Sequence, residues 1–171
     1  MYIGKTFPSE YEMELIRLKS SAGRAFFYGG KSLLAGGVGN YNEQMLWNPA
    51  SSGKEMYVRK IIYSSTSASF GYLMRHGSTS GFTEVSTDPN KFNTSSPASV
   101  GNIWYRTSAS PTSLSGHEYA IIGNFQNLQT NDNLIYDKIS LVLEEGEGIL
   151  MRSWIDDVPL AANFFWEEIT I

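Results

Sequence analysis

The sequence contains no cysteine among its 171 residues. That removes disulfides, thiolate metal sites, haem attachment, iron–sulfur clusters and thiol catalysis. Charge is scarce too: Asp, Glu, Lys and Arg make up 18% of the chain, and the formal net charge is −4. No basic run occurs, so the surface that neutralises phosphates is missing and nucleic acid is not an expected partner. Long apolar runs are also lacking. No stretch has the length a bilayer span requires, and Met1-Tyr2-Ile3-Gly4-Lys5-Thr6 lacks the apolar core of a signal peptide. The expectation is a soluble chain, made in the cytoplasm without export, with no membrane partner.

What replaces the missing charge is Ser, Thr, Asn and Gly. Aromatic residues stay at 13%, which argues for a packed core rather than disorder. The Ala, Glu, Lys, Leu and Arg that a helical bundle requires are not abundant. Period-two patterning dominates instead. In 54–65, Met56, Val58 and Ile62 fall on one face with Lys60 interrupting it, and Tyr57, Arg59, Ile61 and Tyr63 fall on the other. In 68–75, Phe70, Tyr72 and Met74 share a face, and the polar 64–67 between the two runs reads as a hairpin turn. Further strands are expected at 12–19, 24–28, 43–47, 101–106, 118–124, 138–144, 148–154 and 163–171, with no helix. The polar stretches 78–99 and 107–115 read as surface loops. Many short strands punctuated by Gly, Pro, Ser and Asn specify an all-β, antiparallel sandwich or barrel. One domain is expected over 1–171, with 1–42 as an irregular N-terminal arm or first strands and 43–171 as the sandwich core.

Candidate chemistry is sparse. The only histidines are His76 and His117. Ser115-Gly116-His117-Glu118 sets three triad residue types close in sequence, but no nucleophile elbow accompanies them, and both histidines read as loop or turn residues. Glu144, Glu145, Glu147, Asp156, Asp157, Glu167 and Glu168 include no pair whose spacing selects a glycosidase site, and they read as a solvated turn and exposed strand positions. Asn131-Asp132-Asn133 lacks the spacing and distal Glu of an EF-hand. Gly29-Gly30-Lys31-Ser32 resembles the end of a P-loop, yet Ala25 stands where its first Gly belongs. Trp47, Trp104, Trp154 and Trp166 sit in or at the end of apolar strand patterns, which favours packing over a sugar groove. No catalytic, cofactor or metal residue is therefore assigned, no cofactor is expected, and the chain reads as not an enzyme.

Three stretches carry a resemblance. The first is 44–54, with Asn48-Pro49-Ala50-Ser51-Ser52-Gly53-Lys54 entering a long strand. The second is the polar turn and Phe70-Gly71-Tyr72-Leu73-Met74-Arg75. The third is 143–150, with Gly146-Glu147-Gly148, followed by Asn163-Phe164-Phe165-Trp166-Glu167-Glu168. Together they resemble small β-sandwich virion proteins of tailed bacteriophages. The resemblance implies a jelly-roll-like sandwich on the capsid surface that decorates and cements the assembled shell, with the major capsid protein as partner.

The terminal strand is apolar on both faces, which calls for a neighbour within the sandwich or from another subunit, and a homotrimer is expected. Phe26, Phe27, Tyr28, Leu33, Leu34, Phe164 and Trp166 are the candidate subunit or capsid interface, with packing under the sandwich as the alternative for 26–34. Two rival functions remain: a tail-fibre or receptor-binding head that grips carbohydrate through Trp and Tyr, and a carbohydrate-active hydrolase.

Overall fold

The computed structural model describes residues 25–28, 37–64, 69–85, 90–91, 98–113, 123–128, 133–159 and 161–171. These residues form strands and no helix. One sheet runs β6 (Asn90–Lys91), β1 (Ala25–Tyr28), β11 (Ala161–Thr170), β3 (Lys54–Ser64), β9 (Asn133–Leu143). The other runs β5 (Thr83–Glu84), β7 (Asn102–Ser108), β2 (Tyr41–Asn48), β10 (Glu147–Ser153), β4 (Ser69–His76), β8 (Gly123–Leu128). Every neighbouring pair is antiparallel. The chain is an antiparallel β-sandwich, as its period-two patterning specifies.

The order within the sheets is that of a jelly roll. Without β5, β6 and β7, the sheets read β1-β11-β3-β9 and β2-β10-β4-β8. The first described strand pairs with the last, β2 with β10, β3 with β9 and β4 with β8, so the described fold is one long antiparallel ribbon rolled up on itself. This corrects one local expectation. β3 and β4 are not a hairpin: they lie in different sheets. Likewise the turn around Gly146 carries the chain from β9 in one sheet to β10 in the other. Of the remaining strand expectations, 12–19 and 118–122 lie outside the described residues, and β8 covers 123–124 at the end of the expected 118–124 strand.

The interior forms where the two sheets face each other. Phe26, Tyr28, Met56, Val58, Ile61, Tyr63, Leu143, Ala162, Phe164 and Trp166 come from the first sheet, and Leu46, Leu73, Ile103, Ile149 and Met151 from the second. The inward set on β3 differs from simple alternation. Trp166 pairs with Val58 and Phe165 with Lys60, which leaves Arg59 as an extra residue in a bulge. One inserted residue shifts the pleat, so Ile61 and Tyr63 join Met56 and Val58 inside, and Lys60 and Ile62 turn to the outer face. The interruption that Lys60 makes in the pattern is thereby resolved. On that outer face Phe165 packs with Ala25, Phe27 and Ile62.

β11 alternates as its sequence implies, with Ala162, Phe164 and Trp166 inward. Its neighbours are β1 and β3 of the same chain, so both of its edges are paired within the molecule, while Phe164 and Trp166 face the other sheet and Phe165 packs on the outer face. Phe26 stacks on Trp166 with ring centroids 6.0 Å apart. Burying an aromatic side chain of this size stabilises the fold by about 2–3 kcal/mol.

Candidate functional site

The stretches that carry the resemblance meet in space. At the end of β2, Asn48 is fully buried. Its side-chain amide donates to the Lys54 carbonyl (2.8 Å) and the Leu143 carbonyl (3.1 Å), and its amide oxygen accepts from the Ser52 hydroxyl (2.8 Å). Its own carbonyl accepts from the Gly146 N–H at 2.9 Å. The Glu145 carboxylate reaches across to accept from the Gly53 N–H, with Ser52 beside it. Gly53, at φ 69°, occupies the left-handed region that this tight reversal requires. Residues 48–54 and 143–147, far apart in sequence, thus form one interlocked corner.

The last strand ends at the same corner. The Ile171 N–H donates to the Gly53 carbonyl at 3.2 Å. Beside it, Lys54 pairs with Glu168 at 2.7 Å. Glu168 also accepts from the Val100 N–H (3.0 Å), the Gly101 N–H (3.3 Å), the Trp166 indole N–H (3.2 Å) and the Ser99 hydroxyl. A carboxylate that is 2% exposed is stable only with such a set of donors. The expectation of exposed strand carboxylates at 167 and 168 is therefore corrected. Glu168 is buried and clamps 99–101 onto the sheet end. Glu167 is also buried, and Arg59 holds it through Nε and Nη2 at 2.9 and 2.7 Å. Glu147 pairs with Arg75 at 2.8 Å.

A second polar cluster lies on the outer face of the β2–β10 sheet. Glu43 is fully buried there. It accepts from Arg106 Nε (2.6 Å) and Nη2, and from the Thr112 N–H (2.8 Å). Arg106 Nη2 donates to the Thr112 hydroxyl (2.8 Å), and its guanidinium lies 4.4 Å over the Phe82 ring. Arg152 donates to the Thr112 carbonyl and sits between the Tyr41 and Tyr72 rings, at 5.4 and 5.8 Å. Burial pushes the Arg152 guanidinium below its ordinary value, against the opposing pull of Glu43. Tyr72 in turn packs on Trp154, with centroids 4.8 Å apart. Toward the other end of this face, Met45, Met74, Leu150 and Phe82 pack together, flanked by the half-buried Trp47 and Trp104. Glu43 is the one carboxylate in this network, and both of its oxygens are occupied.

His76 closes β4 and packs against Phe82 at 5.7 Å; His117 lies outside the described residues, as do 29–32 and 131–132. Among the described residues no group of three or more His, Asp or Glu is placed to hold a metal ion. Of the candidate interface residues, Phe26, Tyr28, Phe164 and Trp166 are inside the chain's own core, buried against the facing sheet. Phe27 is half-buried on the outer face beside Phe165, and Leu33 and Leu34 lie outside the described residues. Sequence patterning missed a different surface. Val38, Trp154 and Ile155 are 87%, 48% and 43% exposed. Trp154, which its strand pattern assigned to packing, is the most exposed tryptophan described. No family model, curated protein sequence or solved structure matches this chain.

Proposed function

We propose that the chain is a non-enzymatic virion structural protein that decorates the assembled capsid shell of a tailed phage and cements it, with the major capsid protein as its partner. The observation that supports this reading is the convergence at the Asn48 corner. The first and third of the stretches that resemble phage sandwich proteins are bonded to one another there, and Arg75, at the end of the second, is tied to the third through Glu147. The resembling residues thus make up one architectural device rather than three unrelated coincidences.

Stabilisation would come by linkage. A protein that binds the assembled shell and not its separated subunits shifts the equilibrium toward assembly. Several copies or several contacts per copy raise the effective concentration, so each contact can be weak; self-association as a trimer would serve this end and is part of the same proposal. The test is to heat shells prepared with and without the chain. Shells lacking it are expected to rupture at lower temperature, and added purified protein is expected to restore the loss. Identical rupture curves, with no binding to empty shells, would reject cementing.

A further inference from the structure

Val38, Trp154, Ile155 and Ile171 are the exposed large apolar side chains among the described residues. Ile171 sits at the Asn48 corner. The other three gather at the opposite end of the β2–β10 ladder, about 20 Å away at strand rise. Two segments meet there. The Asp156 carboxylate accepts from the Gly39 N–H at 2.7 Å, and the Asp157 N–H donates to the Asn40 carbonyl at 2.9 Å. Below them Asn42 donates to the Val158 carbonyl at 2.6 Å, and its N–H donates to the Ser153 hydroxyl at 3.1 Å. The apolar side chains are therefore mounted on a braced support. Trp154 rests on Tyr72, which stacks with Arg152 and, beyond it, Tyr41. That layer lies beneath the indole, which is 48% exposed.

We propose that this end, with Val38, Trp154 and Ile155 as anchors and Asp156 and Asp157 as its rim, is the docking surface of the chain. Its occupant is a protein surface that offers an apolar recess edged by Lys and Arg. The proposal rests on the decoration reading, in which that surface belongs to the assembled shell. The charge selects the occupant. Neither Asp156 nor Asp157 has an ion-pair partner among the described residues. A second copy of the chain would bring two such acidic pairs together, on a protein whose net charge is already −4. Anionic lipid would be repelled in the same way. A sugar stacks on one aromatic ring and takes its remaining contacts from polar groups around it. Here Val38 and Ile155 set exposed apolar area beside Trp154, which a protein surface covers and a sugar does not. Exposed apolar anchors edged by carboxylates that lack an ion-pair partner among the described residues are the arrangement of a protein contact.

The experiment measures sedimentation of purified wild-type protein and variants with assembled shells prepared without the chain. Val38→Ser serves as the variant least able to disturb folding, because its side chain is almost wholly in solvent, and unchanged thermal melting verifies this. Trp154→Ser is expected to weaken binding about thirty-fold and Val38→Ser about five-fold. Raising salt from about 0.05 to about 0.5 M is expected to weaken wild-type binding, and Asp157→Asn is expected to flatten that dependence. Wild-type binding with both apolar variants within two-fold of it would overturn the docking surface while leaving decoration intact. Failure of wild type to bind shells at all would overturn decoration itself, and this partner with it. Binding to an array of immobilised sugars that Trp154→Ser abolishes would show the end to be a glycan site and overturn the protein partner.

Discussion

Asn48 shows how much one side chain can hold in this fold. Two carbonyls and one hydroxyl bond to its amide. Asn48→Ala takes the amide from the buried Leu143 carbonyl, while the Ser52 hydroxyl and the Lys54 carbonyl keep each other at 3.2 Å, and about 1–3 kcal/mol of stability should be lost. Asn48→Asp keeps the shape but sets a carboxylate oxygen against the Lys54 and Leu143 carbonyls, so it should destabilise at least as much as Ala. Chemical denaturation of the three proteins checks the order, and an aspartate variant as stable as wild type would refute the bonding assigned to this amide. Asn48-Pro49 was legible as a turn because Asn, Pro, Ser and Gly have strong local preferences. Its tie to Leu143 was not, since the partner is a backbone carbonyl 95 positions away. The burial of Glu168 was illegible for the same reason. A carboxylate on a strand reads as solvated until its donors, supplied here by Ser99, Val100, Gly101 and Trp166, are brought to it.

Strands were legible as elements wherever one face alternates cleanly. β11 shows this best, because no bulge separates Ala162, Phe164, Trp166 and Glu168. On β3 the extra residue Arg59 moved Ile61 inside and Ile62 out, and nothing in the residue types at 58–60 announces a bulge. Sheet membership was illegible for β3 and β4: a polar four-residue connection suits a hairpin and a crossover between layers equally well. β10 is the element with least tolerance, being flanked by β2 and β4 and packed on both faces. Its Gly148 lies where a Cβ would come within 2.8 Å of Met45 Sδ and 2.9 Å of Trp47 Cε3. Met45 is flexible, but the Trp47 ring must also move. Gly148→Ala should therefore cost about 1–3 kcal/mol and lower the thermal midpoint by about 3–10 °C. Calorimetry reads this directly, and an unchanged midpoint would show that the close approach is relieved without cost.

At the scale of the whole molecule, the first described strand pairs with the last and the ribbon rolls inward from there, so most stabilising contacts are long-range. The two ends of the roll differ in character. One is the polar corner built on Asn48, Gly53 and Glu145, and the other exposes Val38, Trp154 and Ile155 over a braced support. The fold class followed from period-two patterning, whereas the apolar end did not, because Val38 lies in a Gly-rich turn and Trp154 closes an apolar strand. A closed sandwich with one contact-making end accords with a standing component of a shell. Electron cryomicroscopy of purified particles, compared with particles assembled without the chain, tests that claim most directly. The account predicts extra density on the outside of the capsid at symmetry-repeated positions, with the Val38–Trp154 end toward the shell. Difference density confined to the tail, or none on the particle, would contradict it.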